Sequence, residues 1–120
     1  MTRFGATVQG DKTAFRVWAS NARKATLRLL RRDGSREDLP MQGVENGEFY
    51  LTADAHAGDR YFYLLNDDSL QLPDPVSRLL PKGVHGPTEI VDPAAFNWTD
   101  HDWHGVSYRD YVIYELHIGT

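Results

Sequence analysis

Hydrophobic and polar positions alternate with a period of two over residues 13–18, placing Phe15 and Val17 on one face and Ala14, Arg16 and Trp18 on the other. This predicts a strand with one buried face, closed by Ser20 and Asn21. Trp18 is expected in the core, where large aromatic side chains dominate the packing. A second run, 25–30, puts Leu27 and Leu29 on one face. Asp33 and Gly34 mark a turn, and 36–39 forms the return strand that Pro40 ends. Asn46 and Gly47 mark another hairpin, because both positions tolerate the positive φ that such turns require. Residues 48–53 follow as a strand. Gly58 and Asp59 then turn into 60–65, an apolar strand dense in aromatic residues. A turn at 66–69 leads to a short partner at 70–72. Turn signals at intervals of roughly 8–12 residues, with no sustained helical period, predict an all-β sandwich of about seven short antiparallel strands.

The pattern changes at Pro73. Pro73, Pro75, Pro81, Pro87 and Pro93 follow in quick succession, and each fixes φ and removes an amide donor. Val76, Leu79, Leu80, Val84, Ile90 and Val91 make the stretch too apolar for a solvated spacer. Residues 73–109 are therefore expected to be a connector packed on a sandwich core of 1–72. Phe96, Trp98 and Trp103 are its aromatic anchors. One extra strand is expected at 110–119, with Val112, Tyr114, Leu116 and Ile118 on one face and Ile113, Glu115, His117 and Gly119 on the other. An apolar strand with nothing behind it marks 110–120 as the start of a further domain. Left alone it is an exposed edge, open to aggregation or to dimerisation.

The chain has 120 residues, 41% of them hydrophobic, and no cysteine. That length excludes a complete barrel enzyme of roughly 250 residues. Thirteen basic against seventeen acidic residues give a net charge of −4 without basic runs, which argues against a nucleic-acid partner. No stretch approaches the ~20 apolar residues of a membrane helix, and the first residues lack a signal-peptide core. Without cysteines there is no disulfide or thiolate chemistry, and the cytoplasm is the default location.

Candidate chemistry is sparse. The adjacent Asp67 and Asp68 are explained by a turn, and Asp100 and Asp102 by a loop. His101 and His104, with His85 upstream, lack a third ligand at convincing metal-site spacing. Ser35, Ser69 and Ser107 have no nucleophile-elbow setting. Gly83 and Gly86 do not form a phosphate loop. Arg28, Arg31, Arg32 and Arg36 read as a solvated strand face. Glu115 and His117 either meet water or line a site in a longer protein. No catalytic, metal-binding or cofactor-binding residue is assigned. Trp98, Trp103 and Tyr108 are the candidate sugar contacts, with packing against a following domain as the alternative for the tryptophans.

Residues 15–20 with Asn21 and Ala22 resemble the opening of the N-terminal β-sandwich of isoamylases and glycogen branching enzymes, with Ser20 in place of the usual proline. Residues 73–78, 80–86, 96–98 and 103–105 are similar to the connector of the maltooligosyltrehalose trehalohydrolase family, and 114–120 to its first barrel strand. The resemblance implies an early-set immunoglobulin-like sandwich ahead of a glycoside hydrolase family 13 barrel. Such enzymes cleave the α-1,4 bond that releases trehalose from maltooligosyltrehalose. It also implies that the nucleophilic aspartate, the acid/base glutamate and the assisting aspartate lie beyond residue 120. The implied partners are a maltooligosaccharide, met through the parent enzyme, and the missing barrel. A branching or debranching enzyme's front domain and a free-standing α-glucan-binding module are the alternatives.

Overall fold

A computed structural model, which describes residues 3–119, places the alternating segments in strands. In chain order these are β1 (Gly5–Gln9), β2 (Lys12–Trp18), β3 (Ala25–Leu30), β4 (Arg36–Pro40), β5 (Gln42–Val44), β6 (Glu48–Ala53), β7 (Arg60–Leu65) and β8 (Thr88–Glu89). They build two antiparallel sheets, ordered β1-β2-β6-β5 and β4-β3-β7-β8. The sandwich expected from the sequence is therefore present. Three of its strands, β1, β5 and β8, have no counterpart in the sequence reading. Each is an edge strand of two to five residues, too short or too polar to show a period.

The core lies between the sheets. Phe15 and Val17 from β2 and Phe49 from β6 meet Leu27 and Leu29 from β3 and Tyr61 and Tyr63 from β7. The register explains the choice: Phe15 pairs with Leu51 and Val17 with Phe49, so a period of two directs these side chains to the same face. Phe15 meets Tyr61 edge-on with ring centroids 5.0 Å apart, and Tyr61 meets Tyr63 at 5.5 Å. Two loops are closed by buried polar groups. Thr13 Oγ1 donates to the Ala55 carbonyl at 2.6 Å. The Asp59 carboxylate accepts the backbone N–H groups of Arg32 and His56, each at 3.0 Å.

Tyr61 and Tyr63 carry hydroxyls into the core, and these need partners. The connector supplies one. Asp74, 3% exposed, accepts from Tyr61 Oη at 2.7 Å and from Tyr63 Oη at 3.1 Å through Oδ2. Its Oδ1 accepts the Val76 N–H at 2.9 Å. Its own N–H donates to the buried Thr88 Oγ1 at 2.9 Å. One carboxylate thus ties the start of the connector to β7, and its backbone ties it to β8. Further along, Ile90 N–H donates to the Asp59 carbonyl and Gly58 N–H to the Ile90 carbonyl, both at 2.9 Å.

Four expectations are corrected. Trp18 is 61% exposed rather than in the core: alternation sends it outward once Phe15 and Val17 point inward, and position outweighs size. The 70–72 partner is reduced to a single bridge between Leu72 and Tyr63. The connector's packing stops at residue 92, and residues 93–119 are exposed. The extra strand at 110–119 pairs with nothing among the described residues. A strand needs neighbouring N–H and C=O groups to complete its ladder, and neither sheet reaches this segment.

Replacing Asp74 by alanine leaves two buried phenols and the Val76 N–H without their acceptor, so Asp74→Ala is expected to lower the unfolding free energy by about 3 kcal/mol or more. Urea denaturation measures this, and a loss under about 1 kcal/mol contradicts the role given to Asp74. Burial, and then the Asp74 charge, push the Tyr61 phenol well above its ordinary value of 10.0. The folded state thus keeps a proton that the unfolded chain gives up. The stability linked to it is whole below about pH 10 and declines as the pH rises further. The thermal midpoint, followed from about pH 8 to pH 11, is expected to fall less steeply above pH 10 in Tyr61→Phe than in the parent chain. Equal slopes contradict the linkage.

Candidate functional site

The outward face of β2 carries Arg16 and Trp18. Trp18 ends the strand, and its indole Nε1 donates to the Asn46 carbonyl at 2.9 Å. That carbonyl belongs to the loop between β5 and β6, where Asn46 and Gly47 both adopt positive φ, 63° and 75°. The hairpin signal of this pair is therefore realised. Gly47 also accepts the Ala19 N–H at 2.8 Å. A Cβ at Gly47 would stand 2.5 Å from Ser20 Cα, so glycine alone fits where the loop meets the end of β2. The loop fixes the Trp18 ring by its edge and leaves the ring largely open to solvent.

One residue pair along the sheet, Trp18 is opposite Glu48 and Arg16 is opposite Tyr50. Arg16 and Glu48 are diagonal neighbours, close enough for long side chains to meet. Arg16 Nε lies 2.8 Å from Glu48 Oε2, and Arg16 Nη2 contacts the same oxygen. Arg16 Cζ also lies 5.2 Å from the centre of the Phe4 ring, within cation–π range. On the far side the connector forms a wall. Asp74 holds Pro75 and Val76 there, and a Cβ on Gly5 would meet Val76 Cγ2 at 3.1 Å. Arg78 Nη1 donates to the Ala6 carbonyl at 2.6 Å and clamps the same segment to β1. Phe4, Arg16, Trp18, Glu48, Pro75 and Val76 enclose most of a groove of about 510 Å³.

The second sheet's outer face is a charged surface. Arg28 pairs with Asp38 at 2.6 Å, Arg31 with Glu37 at 2.8 Å and Arg60 with Glu89 at 2.9 Å. The hydrogen bond from Arg28 holds the Asp38 carboxyl below the usual range and raises the guanidinium in return. This matches the solvated strand face expected of the arginines. Among the described residues no three histidine, aspartate or glutamate side chains gather as a metal site would require.

The sequence-derived sugar contacts stand apart from the groove's lining. Trp98, Trp103 and Tyr108 are 67%, 64% and 84% exposed. Trp98 meets Phe96 edge-on at 4.8 Å, and Tyr108 meets Tyr111 at 5.9 Å. Trp98 and Tyr108 therefore belong to different aromatic pairs. Glu115 and His117 are exposed as well. Sequence reasoning placed Arg16 and Trp18 on one face, but it missed Phe4, Glu48 and the connector wall. Glu48 carried one usable signal, its place directly after the Asn46-Gly47 turn at the start of a strand.

Comparison with known proteins fits this architecture. The trehalohydrolase of Deinococcus radiodurans, named malto-oligosyltrehalose trehalohydrolase, is 42% identical over 99% of this chain and 19% of its own length. The protein of the same name from Saccharolobus solfataricus is 45% identical over 98% of this chain and 20% of its own. The chain thus spans about a fifth of these curated relatives. The crystal structure of a putative alpha amylase from Salmonella typhimurium superposes on all of this chain and 20% of its own, with a TM-score of 0.82 at 34% identity. The family described as carbohydrate-binding module 48, the isoamylase N-terminal domain, matches residues 3–95, which cover both sheets and the packed part of the connector. The chain belongs to the carbohydrate-binding module 48 family.

Proposed function

We propose that this chain is the non-catalytic front module of an α-glucan hydrolase of the malto-oligosyltrehalose trehalohydrolase type, acting in the cytoplasm. One observation carries the reading. The family match ends at residue 95, yet identity to the trehalohydrolases runs on over nearly the whole chain. The stretch beyond residue 95 includes an apolar run with no packing of its own: Val112 is 97% exposed, and Ile113, Tyr114, Leu116 and Ile118 are exposed with it. A sequence of this kind has a use if residues 110–120 begin a barrel whose neighbouring strands complete the ladder. Those neighbours, rather than a second copy of the chain, then cover the open edge. In the whole enzyme the barrel supplies the nucleophile and the acid/base residue. The module positions the barrel, and Trp98, Trp103 and Tyr108 border the groove that holds the maltooligosaccharide.

Incubating the purified 120-residue chain with maltooligosyltrehalose is expected to release no trehalose. The same module continued through a barrel is expected to release it. Trehalose formed by the 120-residue chain alone contradicts the proposal.

A further inference from the structure

At one end of the second sheet the paired charges give way to unpaired ones. Leu30 and Arg60 form the last pair between β3 and β7, and the chain around them encloses a recess of about 580 Å³. Its lining holds four cationic side chains, Arg31, Arg32, Arg60 and Lys82, against one acidic side chain, Glu89. We propose that this recess binds a phosphoryl dianion, free or carried as the monoester of a small metabolite, and that Arg32 and Lys82 hold it. The recess is a different surface from the groove beside Trp18, and its ligand is independent of the α-glucan reading.

The first argument is the charge left over. Arg31 is engaged by Glu37 at 2.8 Å and by the Asp54 carbonyl, and Arg60 Nε by Glu89 at 2.9 Å. The side chains of Arg32 and Lys82 donate to nothing among the described residues. The neighbouring Asp59 carboxylate is taken up by the backbone N–H groups of Arg32 and His56. Two cations therefore line the recess without an anion of their own. A phosphate monoester carries close to two negative charges at pH 7. The chain as a whole carries −4, so an extended polyanion meets repulsion beyond the recess and a small dianion does not. The second argument is placement. The Arg32 backbone is held to Asp59 at 3.0 Å. Gly58 N–H donates to the Ile90 carbonyl and Ile90 N–H to the Asp59 carbonyl, which draws the connector against this turn. Glu89 N–H donates to the Leu79 carbonyl at 3.0 Å and closes the loop that carries Lys82. Glycine makes room for both stems. A Cβ at Gly58 would stand 3.0 Å from Arg32 Cδ, and one at Gly86 would stand 2.7 Å from Lys82 Cβ. The third is donor geometry. The planar fork of an arginine matches two phosphate oxygens, and a lysine adds a point charge. The volume lies within the range of small-molecule sites.

The test is a titration of the ¹⁵N-labelled 120-residue chain with inorganic phosphate and, separately, with glycerol 3-phosphate, each against sodium chloride at equal ionic strength. The expected result is a saturable shift at the amides of Arg32, Gly58 and Lys82 with at least one of the two, at a dissociation constant of about 1 mM. The probe that binds more tightly tells whether the dianion is taken free or as an ester. Arg32→Gln and Lys82→Gln are each expected to weaken binding about tenfold, the scale of one charge-assisted hydrogen bond. Arg23→Gln, at the opposite end of β3, leaves it unchanged. The shifts of the unmodified chain decide the matter even if a variant fails to fold. Shifts that sodium chloride reproduces overturn the site, as do shifts centred on Arg28 or Arg36. No shift at any residue in about 10 mM of either phosphate also overturns it, and the trehalose-release comparison then stands as the separate test of the module itself.

Discussion

The contact on which the rest depends is the buried carboxylate of Asp74. Two tyrosines in the most aromatic strand bring hydroxyls into an otherwise apolar core, and a buried phenol without a partner costs about 1–3 kcal/mol. A single residue of the connector answers both, at 2.7 and 3.1 Å. The same residue reaches Thr88 and Val76, so β8 and the chain after Pro75 take their places from it. The proline-rich stretch is therefore two things. Up to residue 92 it is part of the sandwich, and after that it is a segment exposed along its length.

That constraint also shapes the groove. The floor belongs to β2 and the Asn46-Gly47 loop, but the far wall is Pro75 and Val76, held by Asp74. Fold and site share one anchor. The cation–π contact of Arg16 with Phe4 and its ion pair with Glu48 order the floor, while the hydrogen bond to Asn46 orders the indole. What results is a rigid surface with one large apolar ring and a neutralised polar pair. It differs from the second sheet's outer face, where paired charges meet water.

Much of the sandwich was legible in the sequence, because its information is local. Phe15 and Val17, or Leu27 and Leu29, announce an inward face by their spacing alone. Asn46 and Gly47 announce a turn because few residues accept a positive φ. Asp74 was illegible for the opposite reason. Its partners Tyr61, Tyr63 and Thr88 lie 11 to 14 residues away, and an aspartate before a proline reads as an ordinary turn. Arg16 and Glu48 meet only once the β2–β6 register is known. Trp18 was legible by alternation and was misplaced by the weight given to its size. Residues 110–119 carry the pattern of a strand, but pattern alone does not supply the neighbours that make one.

The measurement that reaches the centre of this account is native-state hydrogen exchange, resolved residue by residue. If Asp74 makes the front of the connector part of the sandwich, the amides of Asp74, Val76 and Ile90 open only with the core. They are then expected to exchange with protection close to that of β3 and β7, while the amides of residues 96–117 exchange promptly. Asp74 and Val76 amides exchanging as fast as those of residues 96–117 would contradict the account.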